Sequence, residues 1–236
     1  MGMSSGIVDL GMNVDLRSFR CRADRTQYAL EHFGAYIKGR VLDVGCDEAV
    51  LRKLAPELDY TGVDIGGAPD VKLDLEKTSH LPFGDKSFDC VLCADVLEHL
   101  DNLHTIFEEL IRVSRRWVII SWPNNWVVAR VPIKRGRGSF KFYGLPPDRP
   151  ADRHKWFFCY TEAREFVWEH AKRKGVTVVA ERSTQKPKFF LIRWLRRLRY
   201  PVQARYLNRY SNTYWSVLDV CGGGSANCPA PVDSRP

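Results

Sequence analysis

The sequence has no run of about 18 or more apolar residues, so it offers no candidate for a membrane-crossing helix. Its opening, residues 1–24, carries acids early and has no continuous apolar stretch, so it does not read as a secretory signal. Cysteine is too sparse and too uneven for a disulfide framework. Seven in 236 residues, with no export signal, lead to the expectation of a reducing, cytoplasmic compartment. Acids thin out in the second half. Residues 1–100 hold 11 Lys/Arg and 17 Asp/Glu, net −6, whereas residues 101–236 hold 25 and 11, net +14, together the chain's +8. A basic second half predicts that a partner or substrate of negative charge meets it.

What is present suits one α/β domain with modest additions, since 44% of the residues are hydrophobic. Apolar spacing over 25–37 predicts a helix in a lead-in of residues 1–38. Short apolar runs then predict strands at 40–46, 60–65, 71–75, 88–96, 117–123 and 176–181. Helical patterns fall at 48–56, 102–114 and 161–175. This alternation indicates a doubly wound, mostly parallel sheet over 39–181, and ligands of such sheets sit outside the carboxyl ends of the strands. Residues 124–160, with Pro132, Pro146, Pro147 and Pro150, are expected as a lid or insertion. A basic, aromatic extension follows over 182–215, and the Gly/Ser/Pro-rich end, 216–236, is expected as a disordered tail.

The residues after each strand carry the functional reading. Asp43 ends the first strand and Gly45 opens a turn in which backbone amides can approach a ligand. Asp64, about 20 residues on, has the position and spacing of a carboxylate that accepts from ribose hydroxyls. Asp74 follows the third strand, where a carboxylate can take the exocyclic amine of an adenine, and Asp95 follows the fourth. Cys90 and Cys93 are three apart on a strand and so face opposite sides, which makes them core residues rather than metal ligands.

VLDVGC, TGVDI and LDLEKTSHLPFGDKSFDCVLCADVLEHL together resemble the class I methyltransferases, in particular the methyltransferase 11 type, over about residues 38–125. The continuation ELIRVSRRWVIISWPNNWVVAR, with RHKWFFCYTEAREF, is similar to the MetW-like proteins. A less specific likeness is to small methyltransferases of surface-glycan synthesis. The resemblance implies S-adenosylmethionine as cofactor. Gly45 and Cys46 would lie under its methionine portion, Asp64 and Ile65 would hold the ribose and adenine edge, and Asp74 and Leu75 would bracket the adenine. Asp95, Val96 and Leu97 would line the inner face near the sulfonium. The family usually has glycine at the positions of Asp47 and Ala49. Ala49 is expected to be harmless if its backbone is ordinary, and Asp47 either repels the cofactor's carboxylate or accepts from its ammonium group.

Methyl transfer requires an acceptor held in line and sometimes a base, and it requires no metal. His99 and His154 are the candidate bases, each with a structural role as the alternative. Asn124, Asn125, Tyr143, Trp156 and Tyr160 are candidate acceptor contacts. The segment 182–210 holds nine Lys/Arg and no acid. Read with its aromatic residues, residues 186–210 make a peripheral contact with the inner membrane face, a nucleic-acid surface, or a helix packed on the domain with its arginines in water. The acceptor is accordingly a small molecule or a lipid-linked, glycan-type molecule, with RNA as a further alternative. A weakened cofactor site would instead make the chain a regulatory partner of an acyltransferase, as the MetW likeness implies.

Overall fold

The structure is a computed structural model that describes residues 13–140, 142–150 and 152–222. Its strands are β1 (Asn13–Asp15), β2 (Arg40–Val44), β3 (Asp59–Asp64), β4 (Val71–Lys72), β5 (Phe88–Ala94), β6 (Ser114–Pro123), β7 (Thr177–Gln185) and β8 (Ser211–Asp219). Its helices are α1 (Arg22–Phe33), α2 (Val50–Leu54), α3 (Leu103–Val113), α4 (Asn125–Arg135), α5 (Tyr160–Lys174), α6 (Phe190–Arg199) and α7 (Gln203–Tyr210). The strands form one sheet in the order β1-β7-β8-β6-β5-β2-β3-β4, in which only β8 runs antiparallel to its neighbours. The expected doubly wound, mostly parallel α/β fold is therefore present. The carboxyl ends of β2, β3, β5, β6 and β7 lie on one edge.

Both faces of the sheet are covered, which is why the middle of β5 (90–94) and of β6 (117–120) reads as an apolar run. On one face α3, α5 and α7 bury Ile106, Phe107, Leu110, Val167 and Leu207. On the other, α1 and α2 bury Tyr28, Phe33 and Leu51 around Trp215 of β8. Cys90 and Cys93 are fully buried in opposite layers, as their spacing predicts. Arg182 of β7 grips Asp15 with two nitrogens, at 2.9 and 3.1 Å, and Tyr28 donates to the same carboxylate, so β1 and α1 are tied to the sheet.

Several expected boundaries move. The helix expected over 25–37 spans 22–33, and Gly34 donates its N–H to Leu30 beyond its end. The helix expected from 48 starts only at Val50, because Ala49 is left-handed. Only Val71 and Lys72 pair as the third expected strand; Asp74 instead accepts from the Glu76 N–H and starts a single 3-10 turn. The stretch after Asn124 is no open insertion at first. Asn124 caps α4 by accepting from the Trp126 N–H, and the helix tolerates Pro132 until Gly136 ends it in a left-handed turn.

The boundary expected at 181 falls inside β7. Residues 211–219 are neither the end of an extension nor the start of a tail, since they fill the sheet between β6 and β7. Six consecutive residues from Thr213 to Leu218 are buried, so β8 shows no alternation to announce it. The remainder of the expected tail, from 223 on, lies outside the described residues.

Candidate active site

The carboxyl ends of β2, β3 and β5 open on a cleft of about 180 Å³ lined by Gly45, Asp64, Ile65, Asp74, Leu75, Asp95, Val96, His99 and, from α1, Arg22. Gly45 bends the chain out of β2 at φ +77°, and an added Cβ would lie 2.2 Å from the Val96 side chain. Only glycine lets the turn approach the cleft there. Asp64 is held by three backbone donors: Asp47 N–H at 2.8 Å, Ile65 N–H at 2.7 Å and Gly66 N–H at 3.3 Å. Its carboxylate therefore has a fixed direction and keeps acceptor capacity for a diol.

The backbone is strained where the cleft is formed. Asp47, Ala49 and Asp95 have φ of 48°, 49° and 52°, the left-handed region that costs an L-residue about 1–2 kcal/mol. The proviso on Ala49 thus fails, because its backbone is not ordinary. Asp47 neither faces the cleft nor stands alone: its carboxylate turns to Arg22, 3.5 Å away. Asp95 is held in place by Arg25 of α1 and by the Ser121 hydroxyl, both at 2.5 Å.

Residues 42–119 match the family model described as a methyltransferase domain, Methyltransf_11. A SAM-dependent methyltransferase from Archaeoglobus fulgidus is similar in fold, with 20% identity over 85% of this chain and 96% of that one and a TM-score of 0.50. An S-adenosylmethionine-dependent methyltransferase from Mesorhizobium loti has 16% identity over 81% and 96% of the two chains, with a TM-score of 0.51. The small RNA methyltransferase HEN1 has 17% identity and a TM-score of 0.54, over 87% of this chain but only 26% of its own. No curated protein matches the chain. Residues 42–119 thus match a methyltransferase domain, and the chain around them has the class I methyltransferase fold. S-adenosylmethionine is its cofactor, and methyl transfer is its activity.

The methyltransferase brings together some residues expected at the site and separates others. Asp43 lies below the cleft, where it accepts from the Tyr60 hydroxyl at 3.0 Å; burial, with Asp64 nearby, raises its pKa to about 7. Cys46 is buried with its thiol toward Gly62 and Tyr60, and burial pushes it up to about 11. Leu97 belongs to the core. Asn124 is not an acceptor contact: its amide donates to the carbonyls of Leu207, Asn208 and Ser211 at 3.2, 3.0 and 2.8 Å, pinning α7 and β8 to the end of β6. Tyr160 is buried against Tyr214, a scaffold position. Residue type at a strand or helix end gives no sign of which way each of these side chains turns.

Asn125, Tyr143, Trp156 and both histidines do assemble. The segment 152–157 is latched on the turn after β5: Lys155 N–H donates to the Glu98 carbonyl at 2.8 Å, Lys155 Nζ to Asp101 at 2.8 Å, and Trp156 Nε1 to the Leu100 carbonyl at 2.7 Å. His154 is 7% exposed, stacks on Phe142, and meets Asn125 and the Tyr143 hydroxyl at 3.1 and 3.0 Å through Nδ1. Burial, then neighbouring His99, lowers its pKa to about 4, so the ring is neutral at neutral pH. His99 pairs its Nδ1 with Asp152 at 2.6 Å and sets its ring edge-on to His154, centroids 4.5 Å apart. Sequence reasoning missed Arg22, Arg25, Glu98 and Asp152. Arg22 lines the cleft and Arg25 pairs with Asp95 from a helix distant in sequence, and nothing in the motif around His99 signals that Glu98 is buried.

Proposed function

We propose that this methyltransferase modifies a lipid-linked acceptor at an anionic membrane surface. The observation that carries the reading is α6. None of its ten residues is buried, and Leu191, Trp194, Leu195 and Leu198 make one apolar face while Arg193, Arg196 and Arg197 make another. Trp194, Leu195 and Leu198 are each more than half exposed, and Phe189 and Phe190 extend the apolar face at its start. Such a helix lies in an interface with its apolar face in the acyl boundary, and each arginine near an anionic surface adds about 1 kcal/mol. Among the described residues no helix is long and apolar enough to cross a membrane.

The topology supports the same reading. Strand β7 ends on the edge of the sheet that carries the cleft, and α6 follows it after four residues. A groove of about 610 Å³ there has apolar walls from Trp126, Ile133, Phe157 and Tyr200 and cations from Arg130, Lys134, Arg205 and Arg209, which suits an acceptor with a hydrocarbon part and an anionic group. In this reading Asp64, Ile65, Asp74 and Leu75 hold the adenosine, Gly45 and Val96 pass under the methionine portion, and Arg22 and Arg25 meet its carboxylate. His99 and His154 face the acceptor. Bound S-adenosylmethionine would supply the methyl group to the acceptor's lone pair and leave as S-adenosylhomocysteine, and the acceptor's proton would pass to water.

The test is sedimentation of the chain with vesicles of phosphatidylcholine with and without phosphatidylglycerol. Binding is expected only to the anionic vesicles, and it is expected to be lost in about 0.5 M salt and in Trp194→Ser/Leu195→Ser. Methyl label from S-adenosylmethionine is expected in the organic extract of a membrane fraction. Equal indifference to both vesicles, or label confined to aqueous products, would overturn the reading.

A further inference from the structure

The carboxyl group of Glu98 is buried with no visible purpose in the scaffold, and burial, then Asp95, raises its pKa well above the usual carboxylate range. The residue is 1% exposed, and its Oε2 has no hydrogen-bond partner among the described residues. Leaving a buried carboxylate oxygen unpaired costs free energy, so such a group calls for a ligand. Its surroundings supply one kind. Glu98, His99 and His154 each offer a donor atom, and the three donors lie within 4.8 Å of one another. Glu98 Oε1 is 3.8 Å from His99 Nε2. Two ligands on one tetrahedral ion with bonds of about 2.0–2.1 Å stand roughly 3.4 Å apart, so the Glu98–His99 pair closes by about 0.4 Å and the widest pair by up to about 1.4 Å through side-chain rotation.

The outer contacts point the same way. Asp152 takes Nδ1 of His99 at 2.6 Å, which fixes that ring with Nε2 turned to Glu98. A carboxylate behind the second nitrogen of an imidazole is the usual support of a metal-ligating histidine. Asn125 and Tyr143 occupy Nδ1 of His154, and among the described residues Nε2 has no hydrogen-bond partner. The Oδ1 atom of Asn125 is a second buried acceptor without a partner at this place.

We propose that Glu98, His99 and His154 form a binding site for a divalent first-row transition-metal ion. Two imidazoles and one carboxylate suit zinc, manganese, iron or cobalt rather than magnesium or calcium, which prefer oxygen donors throughout. Three protein ligands leave further positions open. His99 also lines the cofactor cleft, so an ion held there faces the reacting side of the methyltransferase, and an open position takes an oxygen of the acceptor. That last consequence rests on the acceptor reading above; the ion itself does not, and it is tested without acceptor, cofactor or vesicles.

The test is calorimetric titration of the metal-free full chain with Zn²⁺ and with Mn²⁺. One ion per chain is expected, with Glu98→Gln and His154→Ala each weakening binding at least about tenfold and the exposed Asp152→Asn weakening it by about tenfold. Should the buried variants fail to fold, the unmodified chain still decides the matter. Labelled with ¹⁵N-histidine, it is expected to show stoichiometric Zn²⁺ shifting the ring nitrogens of His99 and His154 and leaving the other four histidines in place. No saturable binding would overturn the site. So would a response at His104 and His170, whose ring nitrogens lie 3.4 Å apart elsewhere.

Discussion

Single residues carry the conflicts of this molecule. Asp47 pays the left-handed backbone penalty in exchange for an N–H aimed at Asp64, a contact any residue would make. Asp47→Gly is therefore expected to raise unfolding free energy by about 1 kcal/mol in a denaturant titration without loss of cofactor binding. Asp43 behaves differently. Its folded pKa near 7 exceeds the ordinary 3.8, so the folded chain binds the proton more tightly than the unfolded one. Its contribution to stability is then greatest at low pH, falls between about pH 4 and 7, and is level above. Asp43→Asn is expected to gain on the native chain by a few kcal/mol from about pH 5 to pH 8, measured as unfolding free energy; a flat difference would contradict the buried, protonated carboxyl. The strand-end acids and Gly45 were legible in the sequence because β-strands deliver their last residues to one edge. Side-chain direction was not. Asp43 turns under the sheet, Asn124 turns to α7, and the glycine-to-alanine change at Ala49 conceals a left-handed backbone. His154 meets His99 only because a segment about 50 residues downstream folds back on the turn after β5.

Elements were legible in proportion to the regularity of their burial. Helix α3 buries Leu103, Ile106, Phe107, Leu110 and Val113 at helical spacing and was read almost to the residue. Strands β5 and β6 announced themselves as apolar runs. Strand β8 did not, since it mixes Ser, Asn and Thr with Tyr and Trp and follows a basic segment. Its place in the sheet depends on partners at both sides that are distant in sequence. Trp215 is the measure of what β8 contributes. It is fully buried, with ring centroids 5.5 Å from Tyr28 and 5.7 Å from Phe33, so it joins β8 to α1. Trp215→Ala is expected to cost about 3–5 kcal/mol, and Trp215→Phe markedly less, by chemical denaturation. Truncation ahead of Ser211 is expected to leave β6 and β7 each without the partner that joins them, and the chain unfolded by circular dichroism. Persistence of a native spectrum would show that the sheet does not depend on its antiparallel strand.

At the scale of the whole molecule, two segments of opposite character meet on one edge of the sheet. The acidic first half supplies the strand ends that line the cleft, and the basic second half supplies α6 and α7 beyond β7. The charge asymmetry was plain in the sequence, but its relation to the cleft was not, because it follows from the antiparallel insertion of β8 that sets β7 parallel to β6. The lead-in helix adds a third contribution by carrying Arg22 and Arg25 over the cleft. Whether Asp64 holds the cofactor decides the proposed reading of this edge. The most direct measurement is calorimetric titration of the chain with S-adenosylmethionine and S-adenosylhomocysteine beside Asp64→Ala. Saturable binding is expected, weakened by roughly 10- to 100-fold in the variant through lost hydrogen bonds to a charged acceptor. Equal affinity in the two proteins, or no heat up to about millimolar cofactor, would contradict the site described.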